Sequence, residues 1–249
     1  GSVEKSEVGK SFGFHKAMDN SGAIIGPLIA IFLLWLIPDN YHIIFLIATI
    51  PAILGVLNII LMVDESGKKP DAPLKLKFRS LPKRFYFFLV IMFIFSLGNS
   101  TDALLLVRTK ETGVSNALIP FVYLVFNSVS VLLAIPAGKF SDKIGRERLM
   151  VAGFAIYSIV YFGFGLFNQL WIFIILFMLY GVYSALTDSA QKALVSDLIS
   201  PELKGTGFGI YHSVLGLTLL PASLIGGYLY DHISPSAPFY FGAAMSFIA

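Results

Sequence analysis

The sequence predicts an all-α, polytopic transmembrane helical bundle with seven complete spans and the start of an eighth. Three observations predict it. Hydrophobic residues make up 56% of the 249, charged residues only 13%, and mean hydropathy is +0.79, far from the roughly 45–50% apolar and 25% charged mix of soluble domains. The apolar residues gather into stretches of about 20, the length that crosses about 30 Å of hydrocarbon. Sixteen of the eighteen Lys and Arg residues fall in alternate connections between these stretches, the asymmetry that marks cytoplasmic loops.

The stretches run near 13–36, 43–63, 85–107, 117–137, 149–167, 170–191 and 206–230. The segment before the first is polar, carries Lys5, Lys10 and Lys16, and lacks the apolar core of a cleavable signal. Between the second and third spans, residues 64–84 hold Lys68, Lys69, Lys75, Lys77, Arg79, Lys83 and Arg84, with Pro70, Pro73 and Pro82 interrupting any helix. Arg108 and Lys110 follow the third span on the opposite side. Lys139, Lys143, Arg146 and Arg148 follow the fourth, and Lys192 and Lys204 precede the seventh. This pattern predicts a cytoplasmic N-terminus. The eighth stretch starts near Ala237 and reaches only Ala249, so the chain is expected to stop in mid-helix.

Ionisable groups inside a span cost about 2.5–3.5 kcal/mol at its centre on insertion scales, which makes each a functional candidate. Asp102 follows Ser96, Asn99, Ser100 and Thr101 in the third span. At 1.5 Å per residue it lies about 25 Å from Phe85, which suits either a cavity residue or a cap near the outer mouth. In the sixth span Tyr180, Tyr183, Ser184, Thr187, Asp188 and Gln191 recur at three and four residues, so they share a helical face that should look onto protein or water. Lys192 stands four residues beyond Asp188, where a helix-surface pair would satisfy both. Tyr123, Asn127 and Ser130 form a thinner strip on the fourth span. His15 and Asp19, four apart in the first, are either a proton-holding pair or an interfacial one near the cytoplasmic end.

Other chemistries find no footing. The chain has no cysteine, which excludes disulfides and thiolate metal sites. No metal-ligand spacing or hydrolase motif occurs, Gly9-Lys10-Ser11 lacks the first glycine of a phosphate loop, and Ser189-Ala190-Gln191-Lys192 has no companion motif. No catalytic residue, metal, cofactor or nucleic-acid partner is expected.

The densest charge cluster, Gly138-x3-Asp142-Lys143-x-Gly145-Arg146-x-Arg148, resembles the loop signature of the major facilitator superfamily. The long basic linker fits that family. So does an internal repeat, Gly9-x2-Phe12-Gly13 before the first span and Gly205-x2-Phe208-Gly209 before the seventh; parallel repeats about an axis along the membrane normal build such transporters. The resemblance implies that 1–63 hold the last two helices of an N-terminal six-helix half, that 64–84 link the halves, and that 85–249 form the C-terminal half with its last helix cut short. The spans are then the fifth to twelfth helices, and the first four are missing.

The same resemblance makes the third and sixth spans cavity-lining, with Asn99, Ser100, Asp102, Asn127, Tyr180, Tyr183, Thr187 and Asp188 as substrate contacts and His15, Asp19 and Asp102 as proton-coupling candidates. It sets Asp142 at the start of the fifth helix, near Gly9 to Ser11, and pairs Arg146 or Arg148 with Asp197, so that Gly138, Asp142, Gly145, Arg146, Arg148 and Asp197 act as a conformational gate. Gly13-x8-Gly22-x3-Gly26-Pro27 is similar to the fifth-helix pattern of proton-coupled antiporters, departing from it at Ala30 and Ile31; from the residues alone, Gly22 and Gly26 allow close helix approach and Pro27 kinks the helix. The function implied is alternating-access transport of a small solute, by proton-coupled export or by symport into the cell, in a bacterial inner membrane and as a monomer. The rival from another class is a non-transporting membrane enzyme or scaffold.

Overall fold

In a computed structural model, the structure describes residues 8–37, 40–62, 81–114 and 118–249. Among these residues every element is helical: α1 (Val8–Leu36), α2 (Tyr41–Met62), α3 (Lys83–Gly98), α4 (Asp102–Lys110), α5 (Ile119–Ile144), α6 (Arg146–Leu166), α7 (Leu170–Leu198), α8 (Lys204–His232) and α9 (Ala237–Ile248), with a 3₁₀ turn over Pro201–Leu203 before α8. Helix is what an apolar segment must adopt in lipid, because no water is there to satisfy its backbone. Six of the described helical stretches are long and apolar enough to cross a membrane, against seven complete spans expected; the described apolar part of α1, Ser21–Leu36, falls short of that length.

Two boundaries differ from the sequence reading. The third span is two helices, α3 and α4, parted at Asn99–Thr101. Thr101 caps α4, its Oγ1 accepting from the Ala103 amide at 3.3 Å, and polar residues that can bond the backbone locally favour such a break. The 138–148 cluster is not an open loop. Helix α5 continues to Ile144 and α6 begins at Arg146, so its charges sit on two helix ends. The corner turns on Gly145 alone, at φ +101° and ψ 140°, a conformation close to one that only glycine adopts without strain.

Helices α5, α6 and α7 pack together, α9 lies against α6, and α3 bridges α8 and α9. Aromatic side chains fill the centre: Phe95 stacks on Phe154 at 4.2 Å and Tyr157 on Tyr161 at 4.0 Å. Where α3 crosses α9, a Cβ on Gly98 would lie 2.6 Å from the Met245 Cβ, and one on Gly242 2.7 Å from the Gly98 carbonyl oxygen. Gly98→Val therefore forces the helices apart and is expected to cost about 1–3 kcal/mol, read as a lower melting temperature in detergent. Helix α1 lies along α5 and also touches α7, whereas α2 touches chiefly α1 and exposes its apolar side chains, Phe45 and Leu61 among them.

Candidate functional site

The interruption of the third span assembles the polar centre of the bundle. Ending α3 at Gly98 leaves the last carbonyls of that helix without intrahelical donors. Starting α4 at Asp102 puts a carboxylate in its first turn, where the helix dipole favours an anion. Neighbouring helices complete the bonding. The Tyr180 hydroxyl of α7 donates to Asp102 Oδ1 at 2.8 Å. The Tyr157 hydroxyl of α6 lies 3.1 Å from the Gly98 carbonyl and 3.3 Å from Asn99 Oδ1. The Tyr161 hydroxyl sits among Tyr157, Tyr180 and Ser100 without a hydrogen bond of good geometry. Asp102 and Asn99 are half-buried, and Ser100 and the four tyrosines 157, 161, 180 and 183 are buried. Asp102 thus opens a helix and faces a polar cluster.

A second polar chain lies farther along α7, toward the α5–α6 corner. The Ser130 hydroxyl of α5 donates to Ser184 Oγ at 3.2 Å, and Ser184 donates to Asp188 Oδ2 at 3.1 Å. Tyr211 of α8 donates to Gln191 Oε1 at 2.7 Å. The stripe expected on the sixth span is therefore directed into the protein, and its members bond to α5, α4 and α8. Thr187 is fully buried, donates to the Tyr183 carbonyl at 2.9 Å and lies against Gly153, whose added Cβ would be 2.3 Å from the threonine methyl. Its place is in the α6–α7 packing. Asn127 donates to the Tyr123 carbonyl in its own helix at 2.9 Å.

At the α5–α6 corner Arg146 reaches Asp197 Oδ2 at 2.6 Å, Asp142 Oδ1 at 3.3 Å and the Ala193 carbonyl at 2.6 Å. Of the two arginines proposed for Asp197, Arg146 makes the pair. Gly138 is buried in the last turns of α5, and Arg148 is exposed in the first turn of α6. The described part of α1 turns another face to its neighbours than Gly22 and Gly26, since no atom comes within 4 Å of where their Cβ atoms would stand; the close approach expected there is not made by any described residue. Pro27 lies within α1. The side chains of His15 and Asp19, and Gly13 with them, lie outside the described residues, as does the linker between 63 and 80.

Sequence reasoning missed Tyr157, Tyr161 and Arg108. Tyr157 and Tyr161 stand four apart on α6, a spacing that puts two hydroxyls on one face of an otherwise apolar helix. Arg108, expected only as an outer-loop charge, is 7% exposed and bonded to four segments.

The profile of the Major Facilitator Superfamily matches residues 86–249. An uncharacterised MFS-type transporter of Methanocaldococcus jannaschii is 36% identical over 97% of this chain and 62% of its own length. Multidrug resistance protein MdtH of Proteus mirabilis is 25% identical over 90% of this chain and 57% of its own, and the tetracenomycin C resistance and export protein of Streptomyces glaucescens is 25% identical over 51% and 23%. The chain thus spans about three-fifths of the length of the first two. The profile match covers α3 to α9 almost entirely, including the helix pair joined at Gly145 and the polar interruption beside Asp102. With its all-helical architecture, this match shows the family of the chain: it belongs to the Major Facilitator Superfamily.

Proposed function

We propose that the chain forms part of a proton-coupled exporter of small organic solutes, an antiporter that works by alternating access. In this reading residues 1–63 close the N-terminal half, 64–84 link the halves and 85–249 form the C-terminal half, acting as a monomer in a prokaryotic plasma membrane with the N-terminal side cytoplasmic. The observation that carries the reading is Asp102, a half-buried carboxylate at a helix interruption within a membrane span, bonded to Tyr180, since an ionisable group inside a span is costly and so marks a functional candidate. The printed names of the Proteus and Streptomyces relatives, a multidrug resistance protein and an export protein, support export over uptake. So does the glycine and proline pattern of α1.

The protein expressed from its complete reading frame, reconstituted into vesicles with a pH-sensitive dye inside, tests both coupling and direction. Antiport moves protons opposite to the added solute; symport moves them the same way and overturns the export reading. Asp102→Asn is expected to abolish the proton signal while insertion stays normal.

A further inference from the structure

We propose that Phe12 and Phe208 form a ring seal across the solute's passage at the end of the bundle where α1 and α8 begin. The inference rests on the transport reading above and goes beyond it by assigning the residues of a closure on the axis between the halves. It starts from the internal repeat. Phe12 in Gly9-x2-Phe12-Gly13 and Phe208 in Gly205-x2-Phe208-Gly209 hold the same place in the two copies. In the structure the two rings meet, with centroids 6.3 Å apart and planes at 46°. Positions related by a two-fold repeat approach each other only near the axis that relates them, as in any isologous contact. The axis between the halves therefore runs between Phe12 and Phe208. Transporters built from parallel repeats hold their solute at the repeat interface, about such an axis, so the ring pair stands across the route itself.

The local sequence explains why these rings can meet. A helical side chain leans toward the N-terminus of its helix and covers the residue one turn back. That residue is glycine in both copies, Gly9 and Gly205, so no side chain of the same helix stands beneath either ring. Behind Phe208 the seal continues as a layer. Its ring lies 6.4 Å from that of His212, His212 lies 5.0 Å from Tyr211, and Tyr211 stacks at 5.9 Å on Phe88 of α3. Tyr211 also donates to Gln191 of α7. The layer is thus fastened to α3 and α7 by packing and a hydrogen bond. It meets α1 through Phe12, whose ring carries no hydrogen-bonding group. A contact between two rings is individually weak, which suits a closure that parts and re-forms in each cycle.

The test is thiol labelling of the protein expressed from its complete reading frame, on a cysteine-free background, in membrane vesicles. The reporter is Leu215→Cys, which shares the Phe208 face of α8 seven residues deeper, about 10 Å along the helix. A charged, membrane-impermeant maleimide is added on the side where α8 begins, cytoplasmic in the topology proposed above. Labelling is expected to be slow with both rings present, several-fold faster in Phe12→Ala and in Phe208→Ala, and slow again in Phe12→Tyr, which keeps a ring. A second reporter, Phe164→Cys, replaces a fully buried residue near the end of α6, and its labelling is expected to stay unchanged by Phe12→Ala. Fast labelling of Leu215→Cys with both rings in place overturns the proposal, as does no gain on removing either ring. Equal gains at both reporters overturn it too, because they mean general loosening of the fold. The labelling needs no transported solute, so it can fail while the vesicle assay of the transport reading succeeds, and the reverse.

Discussion

Replacing Arg146 with alanine is expected to lower stability by about 3 kcal/mol and to open the bundle at the α5–α6 corner. The guanidinium ties the last turn of α5 to the last turns of α7 through Asp142, Asp197 and the Ala193 carbonyl. Its side chain is 9% exposed, that of Asp142 is 10% exposed and that of Asp197 45%. Removing one partner of a buried pair costs about 3–5 kcal/mol because the other charge stays desolvated. Asp197 can turn to water and Asp142 cannot, which places the loss at the lower end of that range. Arg146→Lys should restore only part, since one ammonium cannot hold acceptors on two sides as a planar fork does. Asp142→Ala should cost less than Arg146→Ala, because the arginine keeps Asp197 and the carbonyl. The chain has no cysteine, so Val195→Cys on α7, at a position fully buried in the parent, reports opening through a membrane-impermeant maleimide. Faster labelling in the Arg146→Ala and Asp142→Ala backgrounds, with a lower melting temperature, is the expected result; unchanged labelling in both rejects a latch.

Much of this corner was legible in the sequence. Sixteen cations on one side place it at the membrane surface, and Asp197 stands where a long helix must end. What the sequence could not show was which arginine turns inward. Arg146 and Arg148 are two residues apart, hence on different faces of α6, and only the approach of α7 decides between them. The interruption at Asn99–Thr101 was hidden for a related reason. A hydropathy window averages over the three polar residues and reads 85–107 as one span, whereas the backbone answers to local caps such as Thr101. The tyrosine stripe on α7 was visible from its spacing, and so was the expectation that it faces protein. That Tyr180 meets Asp102 across 78 residues is a tertiary fact without a local signal. The spacing of Gly22 and Gly26 on α1 was read as allowing close helix approach, and the described helices instead approach α1 on another side.

Arg108→Met is expected to loosen the bundle at the end of α4 by about as much as Arg146→Ala loosens the α5–α6 corner. Its Nε donates to the Phe164 carbonyl at 3.2 Å and its Nη2 to the Phe167 carbonyl at 3.4 Å, to Asn168 Oδ1 and to Ser236 Oγ at 3.4 Å, while Nη1 meets Glu111 at 2.7 Å. One guanidinium therefore fastens the end of α4 to the α6–α7 and α8–α9 corners. The carbonyls it serves lie at a helix C-terminus, where a cation is favoured and where no amide replaces it. Methionine matches the length and apolar bulk of the stem, so the change isolates the lost bonds. Each charge-assisted bond contributes about 1.5–3 kcal/mol, but the longer ones here contribute less and water can reach Glu111, whose side chain is 35% exposed; a net loss of about 3 kcal/mol follows. Glu111→Gln should cost far less, because the arginine keeps its carbonyls and Tyr230 keeps an acceptor. A melting temperature lowered strongly by Arg108→Met and only slightly by Glu111→Gln identifies the carbonyl contacts as the anchor. Equal losses would instead assign it to the ion pair, and then α4 would be held by charge at the surface and not by the buried corner.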